Sequence, residues 1–557
     1  MPYVLGHGRW PHGVDWLSEA VAETYIPLLN VISDLRDDGV PAGLTIGTSP
    51  VLVEQLTDPR FPGEFDRYMQ TKIEHASQNA GEFAGAGRAA QAHLARWWRD
   101  QYTAIREAFH DRYGGNVAAA FRRLQDDGEI EIITCAATHG YLPLLKEESS
   151  IRAQVRLAVR VYERHYGRRP RGIWLPECAY RPRGAWVDPL HPAEGGTGER
   201  PGIEEYLADE GLEYFIVDMH LLRGGESRGV YMERYEALRD LYKRSRERPT
   251  DGADDAASPH LPYLTSSHPF FEKTVAFFTR DAEAALQVWS GEFGYPGDGA
   301  YLDFHKKHWP GGLRYWRVTD FRADMADKQP YDPEAVAGRL NDHVDHYAGL
   351  LRDILARDES VTPDGGRGVV CVPFDAELFG HWWFEGPRFL GGLMRRLAAD
   401  ADVRPTTCGA ELDRHQPTKV VRLPEGSWGK GGHHWIWINE HTRWTWECVH
   451  ESESRMAALV EAYGDHGDAL LKALLAQAGR ELLLLQASDW QFVISAMDAG
   501  DYASERVRRH HADFNRLAQL ADKVGQGASL TADEATFLSD CQARDSLFRS
   551  VEPALWR

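Results

Sequence analysis

The sequence predicts an α/β fold built around a parallel sheet, and three observations support this prediction. Short, almost continuously apolar runs recur between residues 129 and 379, as expected of strands that are buried on both faces. Longer segments with helical periodicity separate these runs. Alternating strands and helices are typical of parallel sheets, which occur as barrels or as doubly wound sheets. The runs that we interpret as strands are 129–137, 172–180, 212–218, 273–281 and 368–379.

Helical patterns occupy much of the remaining chain. Residues 147–167 have the spacing of an amphipathic helix and lie between the first two strands. Residues 66–125 are helical throughout, which predicts a helical insertion. A Trp-rich segment after about residue 400 leads into long amphipathic helices at 453–486 and 502–523. The predicted domains are a barrel-type sheet domain (1–65 and 126–395), the insertion (66–125) and a carboxy-terminal Trp-rich and helical region (396–557).

Two segments, 192–202 and 246–260, have no periodic apolar pattern. Both are rich in Pro, Gly and acidic residues, which favour turns over packed elements. We therefore expect both segments to be exposed loops.

The charge balance excludes several classes of partner. The chain has 557 residues, with 63 Lys and Arg against 84 Asp and Glu, and a net charge of −21. Nucleic acids and anionic membranes are bound by clustered Lys and Arg, so neither is an expected partner. This composition suits a neutral substrate, which needs no electrostatic steering.

The sequence contains no signal for export or for a prosthetic group. The amino-terminal residues lack the apolar stretch of a secretory signal, and no run of about 18 apolar residues occurs. The 6 cysteines are scattered, and the histidines within 433–441 and 508–511 match no known set of metal ligands. We expect a cytoplasmic protein with reduced thiols, no metal and no cofactor.

Tryptophan is the one residue type that departs from average usage, with 18 copies. Aromatic rings stack on the apolar faces of sugars, because sugar C–H groups suit the negative face of the ring. The composition therefore favours a carbohydrate substrate, with a large aromatic core as the alternative.

Polar side chains follow several of the predicted strands. In parallel α/β folds the chemistry lies at the carboxyl ends of the strands. Two carboxylates facing one pocket are sufficient for glycoside cleavage, whereas a single acid at such a position more often caps a helix or pairs with an arginine. The pattern alone does not distinguish Asp375 from Glu377. The strand-end residues are His139, Glu177, Arg280, Asp281, Asp375 and Glu377.

Several longer motifs make the interpretation more specific. The chain contains, in this order, IITCAATHGYLPLL, WLPECAYRP, QVWSGEFGYPGD, DAELFGHWWFEGP and ASDWQF, which resemble the conserved regions of glycoside hydrolase family 57 in the same order. These motifs, the opening PYVLGHGRWPHG and the late SWGKGGHHWIW resemble the 1,4-α-glucan branching enzymes within that family. The resemblance runs through the whole chain.

The resemblance implies an incomplete (β/α)7 barrel and a retaining mechanism. It assigns Glu177 as the nucleophile and Asp375 as the general acid/base. A glucan would be cleaved at an α-1,4 bond, held on Glu177 and transferred to a 6-hydroxyl, which creates an α-1,6 branch in a glycogen-like glucan. A retaining reaction predicts carboxyl groups about 5–5.5 Å apart.

The resemblance also implies supporting roles around these two acids. His139 would bind sugar hydroxyls, Arg280 and Asp281 would orient the nucleophile or the sugar, and Asp489 would reach the site from the carboxy-terminal region. A long loop at 219–268 would act as a lid, with Tyr231 or Tyr263 excluding water. The aromatic residues expected to line the donor and acceptor grooves are Trp10, Trp289, Trp428 and Trp437.

One feature departs from the pattern of the family. Relatives carry a strand with an H-x-H pair just before PYV, whereas this chain starts at Met1, so the first barrel strand is expected to be missing. We interpret this as a misassigned start codon, with an altered protein as the alternative. The competing functions are an α-glucan hydrolase or 4-α-glucanotransferase with the same acids, and a catalytically impaired glucan-binding homologue. The expected partner is α-glucan, bound by a monomer or small homo-oligomer.

Overall fold

The sheet is mainly parallel and has six strands in the order β1-β2-β3-β6-β8-β7. Neighbours from β1 to β8 in this order are parallel, and β7 is antiparallel to β8. The prediction of an α/β fold with a parallel sheet is confirmed, and in the described part of the chain the sheet is open rather than closed into a barrel. The strands are β1 (Leu44–Gly47), β2 (Ile130–Cys135), β3 (Gly172–Trp174), β4 (Gly184–Val187), β5 (Gly196–Arg200), β6 (Tyr214–Asp218), β7 (Tyr263–Thr265) and β8 (Val275–Arg280). The computed structural model describes residues 1–194, 196–223, 237, 257–270, 272–290, 294–320, 322–358, 368–549 and 551–557.

The fifth predicted strand, 368–379, is not a regular strand. It contacts the sheet at one parallel bridge between Cys371 and Arg280, where the Cys371 carbonyl accepts a hydrogen bond of 2.9 Å from the amide of Asp281. Pro373 follows two residues later and has no N–H to donate to a ladder. The segment nevertheless delivers its end to the same edge as the neighbouring strands.

The segment 192–202, predicted to be a loop, contains part of a hairpin. β5 pairs antiparallel with β4, and the register shifts between Ala185 and Trp186. The guanidinium of Arg200 lies 3.9 Å from the centre of the Trp186 ring. This cation–π contact adds stability to a strand whose Gly content predicts a turn.

The helical segments have interruptions that periodicity alone does not predict. Residues 66–125 form three helices, and Asn116 caps the last of them by accepting the amide of Ala119. The predicted helix at 453–486 is two helices, because Asp468 caps a new helix after a break at Gly464. No helix in the described residues combines the length and apolar character needed to cross a bilayer.

The helices before the Trp-rich segment are Val14–Ala20, Ile26–Asp37, Pro50–Leu56, Phe61–Gly85, Ala89–Glu107, Val117–Asp126, Glu148–Tyr166, Ile203–Asp209, Met219–Arg223, Ala282–Trp289, Val336–Arg357, Gly386–Ala398 and Cys408–Arg414. Those after it are Arg443–Tyr463, Ala469–Leu485, Asp489–Ala496, Gly500–Gly525 and Ala532–Arg544. π-helical turns occupy Val21–Tyr25 and Ala108–Arg112, and short 3-10 turns occupy Leu142–Leu144, Pro176–Cys178, Pro192–Glu194, Tyr295–Gly297, Ala376–Leu378 and Pro553–Trp556.

A buried chain of polar side chains joins the carboxy-terminal helices to the end of β2. The side-chain amide of Gln486 donates to the Glu453 carboxylate at 2.6 Å. The side-chain amide of Gln154 donates to the side-chain oxygen of Gln486 at 2.9 Å and to the hydroxyl of Thr138 at 2.8 Å. Breaking a buried hydrogen bond on one side costs about 1–3 kcal/mol, so this chain fixes the two regions against each other. Thr138 precedes His139, one of the predicted site residues.

Candidate active site

Glu177 lies in a strained turn at the end of β3. The turn Pro176–Cys178 holds Glu177 at φ 61° and ψ 26°, in the left-handed region that non-glycine residues rarely adopt. Such a conformation costs on the order of 1–3 kcal/mol and persists only where surrounding contacts hold it in place. The side chain is buried, so the strain presents a carboxylate inside the protein rather than to bulk water.

Trp428 supplies two of the contacts that hold this turn. Its indole N–H donates to Oε2 of Glu177 at 2.7 Å, and its amide donates to the carbonyl oxygen of Glu177 at 3.1 Å. The Trp428 ring meets the edges of Trp174 and Trp289, with ring centres 4.9 and 6.1 Å apart. The Trp-rich segment therefore forms one wall around the predicted nucleophile.

Arg280 and Asp218 form a buried ion pair beneath this wall. The guanidinium donates to Oδ2 of Asp218 at 2.5 Å and lies 5.8 Å from the centre of the Trp428 ring. Burial raises the pKa of Asp218, but the charge of Arg280 and the nearby ring of His220, whose Nδ1 lies 3.6 Å from Oδ2, outweigh it and hold the pKa well below its usual range. Asp218 was not among the predicted site residues, although it is the last residue of the predicted strand 212–218 and polar residues at strand ends were the criterion.

Asp375 is half-buried and stands at the start of a loop that is clamped to the amino-terminal helices. Gly380, at φ 113°, packs so closely on the carbonyl oxygen of Glu23 that a Cβ there would lie 1.8 Å from it. The Glu23 carboxylate accepts from His381 at 2.8 Å and from Arg314 at 3.0 Å. Arg314 also donates to the His381 carbonyl at 2.7 Å. These contacts fix the position of the loop.

The buried thiol of Cys178 reports which charges converge on this region. Burial raises its pKa first, the negative charges of Asp218, Glu177 and Asp375 raise it further, and Arg280 opposes them. All four charged groups therefore act on one buried atom. The structure brings together Glu177, Asp375 and Arg280, while the separation of about 5–5.5 Å between the two carboxyl groups stays a prediction.

His139 and Asp489 form a second group beside this one. His139 Nδ1 lies 2.9 Å from the hydroxyl of Ser488 and 4.0 Å from Oδ2 of Asp489. The thiol of Cys135 links the two groups, because its pKa is raised by burial and then by the charges of both Asp489 and Glu177. The carboxy-terminal helix Asp489–Ala496 thus reaches the mouth of the sheet, as the resemblance implies.

His139 is expected to make folding stability depend on pH. Burial lowers its pKa to about 4, against the attraction of Asp489, so the folded state keeps this imidazole neutral where the unfolded state takes up a proton. The free energy of unfolding should therefore fall as pH drops from about 6.5 to 4. In His139→Gln the part of this decrease in the free energy of unfolding that comes from His139 should disappear. Chemical denaturation at pH 7 and pH 4.5 measures this. His441→Gln, at an exposed histidine, is the control, and an unchanged pH slope in His139→Gln would contradict the assignment.

Asp281 is engaged in contacts that stabilise the fold. Its Oδ1 caps the helix Ala282–Trp289 by accepting the amide of Ala284 at 2.7 Å, and its Oδ2 lies 3.1 Å from Nε2 of His260. The other nitrogen of His260 lies 2.6 Å from Asp358. Both carboxylate oxygens of Asp281 thus have partners that hold the helix and His260 in place.

The remaining predicted site residues differ in exposure. Trp10 is 70% exposed, whereas Trp437 is fully buried with its ring centre 4.7 Å from that of Tyr141. Tyr263 is a buried residue of β7 that packs on Phe277, which places it in the sheet rather than in a lid. Tyr231 and most of the predicted lid, 219–268, lie outside the described residues.

Three groups of side chains in the described residues have the proximity that a shared ion requires. None of them includes Glu177 or Asp375. Arginines contact all three groups, since Arg314 pairs with Glu23 and Arg544 pairs with both Asp545 and Asp513. A guanidinium competes with a cation for the carboxylate. The groups are His7, His510 and Asp545; Glu19, Glu23 and His381; and Glu481, Asp513 and Cys541.

Comparison with known sequences gives consistent matches along the whole chain. Residues 1–424 match the sequence family "Glycosyl hydrolase family 57", and residues 448–556 match "1,4-alpha-glucan branching enzyme, C-terminal". A 1,4-alpha-glucan branching enzyme of Thermococcus kodakarensis is 38% identical over 99% of this chain and 76% of its own length. A probable 1,4-alpha-glucan branching enzyme of Mycobacterium tuberculosis is 30% identical over 94% of this chain and 90% of its own length.

Solved structures agree with these matches. The branching enzyme of Thermococcus kodakaraensis, crystallised with glucose and additives, superposes with a TM-score of 0.87 at 38% identity, covering 100% of this chain and 94% of that chain. The branching enzyme of Pyrococcus horikoshii gives 0.86 with the same identity and coverage. An alpha-amylase of Thermotoga maritima gives 0.78 at 27% identity, covering 100% and 97% of the two chains.

Proposed function

The chain belongs to glycoside hydrolase family 57, and on that premise we propose that it is a 1,4-α-glucan branching enzyme with Glu177 as nucleophile and Asp375 as general acid/base. The observation that carries the proposal is the match to branching enzymes from end to end, including the carboxy-terminal region at 448–556. The contact between Trp428 and Glu177 supports it structurally, because it joins the Trp-rich segment that precedes this region to a strand-end carboxylate.

The first half of the reaction breaks the α-1,4 bond. Asp375 donates its proton to the departing 4-oxygen while a carboxylate oxygen of Glu177 bonds to the anomeric carbon. The reducing-end fragment leaves as an alcohol, and the donor chain stays on Glu177 as a glycosyl ester. The hydrogen bond from the Trp428 indole to Oε2 of Glu177 orients the carboxylate for the attack.

The second half forms the branch. Asp375, now a carboxylate, accepts the proton of an incoming 6-hydroxyl, whose oxygen bonds to the anomeric carbon as the ester to Glu177 breaks. Both carboxylates have then returned to their starting protonation states. The product is an α-1,6 linkage with retained configuration, and water in place of the 6-hydroxyl would give hydrolysis instead.

The surrounding groups have separate tasks in this scheme. The guanidinium of Arg280 places a positive charge close to the ring of Trp428, and the buried carboxylate of Asp218 balances this charge. His139 stays neutral at physiological pH because burial lowers its pKa to about 4, so it offers the sugar a neutral hydrogen-bonding edge. Asp489 and the ring of Trp289 complete the proposed sugar contacts.

We further place the enzyme in the cytoplasm, as a monomer or small homo-oligomer with α-glucan as its partner. All 6 cysteines are free, including the buried Cys135, Cys178 and Cys541. Free thiols are usual in reducing compartments. The barrel, insertion and carboxy-terminal region remain the proposed domain division.

Hydrolysis is the second candidate function, because the Thermotoga maritima alpha-amylase shares the fold at 27% identity. Incubation with amylose separates the two. We expect new α-1,6 linkages, detected as the anomeric signals of branch points by NMR and as chains released by a debranching enzyme. Reducing ends that rise without branch points would overturn the branching proposal in favour of hydrolysis, and redistributed linear chains would favour 4-α-glucanotransfer.

A further inference from the structure

A surface groove of about 500 Å³ lies outside the site described so far. Its most exposed aromatic residue, Trp309, is 60% exposed, and Met325, which also lines the groove, is exposed too. Large apolar side chains grouped on a surface mark binding sites more often than chance. The groove is lined by Phe304, His305, Lys306, Lys307, Trp309 and Met325.

The Trp309 ring is held in place although it is exposed. It stands in a tight turn whose stem is an antiparallel bridge between His308 and Leu313, with a hydrogen bond of 2.8 Å. A Cβ on Gly312 would lie 3.4 Å from the six-membered ring of the indole, so the ring packs beside this glycine. Lys72 donates to the carbonyl of Gly311 at 2.9 Å and anchors the turn to the helix Phe61–Gly85. An aromatic platform that is already fixed loses little entropy on binding.

The groove is continuous with the loop that carries the proposed acid/base. The Phe304 ring meets the ring of His381 edge-on, with centres 5.1 Å apart. His381 is bound by Glu23 in the clamp described above, and it lies on the same loop as Asp375. A chain lying along the groove therefore leads toward the reaction centre.

A second exposed tryptophan lies along the same helix. Arg9, next to Trp10, donates to Glu64 at 2.7 Å, while Lys72 of that helix holds the turn of Trp309. Glu64 and Lys72 are two turns apart on neighbouring positions of one helix face, separated by about 12 Å along the axis. Two exposed tryptophans thus belong to segments that are anchored on the same helix.

The charges in the groove favour a neutral ligand. The ammonium of Lys306 lies 4.5 Å from the centre of the Trp316 ring, and that of Lys307 lies 5.2 Å from the centre of the Phe304 ring. Both positive charges are therefore engaged with aromatic faces. The chain as a whole carries a net charge of −21, which disfavours an anionic polymer.

We propose that Trp309 and Phe304 form an additional binding site for an α-1,4-glucan chain, which holds long glucans beside the cleft. The inference rests on the proposed function for the identity of the ligand. The Trp309 ring stacks on the apolar face of a glucose unit, and Phe304 continues the surface toward Asp375. Short maltooligosaccharides confined to the cleft do not reach it.

Affinity electrophoresis in gels containing amylopectin tests the site without turnover, using Glu177→Gln as the parent. Trp309→Leu keeps an apolar side chain but has no ring. It should bind amylopectin more weakly, with an apparent Kd that is about 3- to 10-fold higher than that of the parent. Trp309→Phe keeps a ring and should restore most of the affinity. Leu470→Ala, an exposed apolar residue of a carboxy-terminal helix, is the matched control and should bind like the parent.

Equal affinity of Trp309→Leu and the parent would overturn the proposal. Binding of the parent to an anionic polysaccharide such as dextran sulfate, but not to amylopectin, would also overturn it, because this would indicate an anionic ligand for Lys306 and Lys307. Failure of the branching proposal is visible separately, as an absence of α-1,6 linkages when the unmutated protein acts on amylose. Weakened binding by Trp309→Leu in a protein that only hydrolyses amylose would support the groove and reject the branching function.

Discussion

Glu177→Gln is expected to lower the rate of branching on amylose by about 10⁴-fold or more, because an amide does not form the glycosyl ester. The substitution keeps the shape of the side chain, and its amide oxygen still accepts the indole N–H of Trp428. The fold should therefore persist, and thermal unfolding should change little. The measurement is the initial rate of α-1,6 bond formation with purified parent and variant at equal concentration.

The matched control is Glu213→Gln, which removes a carboxylate that pairs with Arg171 at the surface. The branching rate of Glu213→Gln should lie within about twofold of the parent rate, because exposed ion pairs contribute little to stability. A branching rate for Glu177→Gln close to that of the parent would remove Glu177 from the mechanism. Equal losses in both variants would instead indicate a general effect on folding.

Arg280→Met is expected to lower the free energy of unfolding by about 3–5 kcal/mol at pH 7, because it leaves the buried carboxylate of Asp218 without its partner. In the parent the pKa of Asp218 lies below its unfolded value, so the pair stabilises the fold above about pH 4 and this contribution is lost as pH falls further. In the variant, burial without Arg280 raises that pKa. The variant therefore loses stability as pH rises. The difference in the free energy of unfolding between the parent and Arg280→Met should thus be smaller at pH 4 than at pH 7.

Denaturant unfolding at both pH values measures this effect. Arg171→Met is the control, since Arg171 pairs with Glu213 and Asp413 at partly exposed positions and should cost no more than about 1 kcal/mol. If Arg280→Met cost no more than Arg171→Met, the Arg280–Asp218 pair would not be the buried anchor that the geometry indicates.

The sequence predicts the centre of the sheet better than its edges. β2, β3, β6 and β8 come from long apolar runs that are buried on both faces, and such runs stand out in any sequence. β1 was missed because its four residues follow Pro and Gly, and its apolar signal is too short to separate from a loop. The segment 368–379 was assigned from its composition, but composition does not report that Pro373 interrupts a ladder.

The candidate site divides in the same way. Glu177, Arg280 and Asp375 were predicted because each lies at the end of an apolar run that was interpreted as a strand, whereas Asp218, the last residue of β6, was overlooked. Glu23 gave no signal, since it lies inside a helical turn and its partners His381 and Arg314 are far along the chain. The choice between Asp375 and Glu377 came from the resemblance, because side chains two residues apart on a strand share a face.

The hydrogen bond between Trp428 and Glu177 also orders events during synthesis. The two residues are separated by 251 positions, so the bond closes a very long loop of chain. When only the strands have left the ribosome, the nascent chain contains Glu177 but not yet Trp428, whose indole binds Oε2 of Glu177 in the folded protein. Because amino-terminal parts fold first on the ribosome, the proposed nucleophile acquires this hydrogen bond late, when the Trp-rich segment docks.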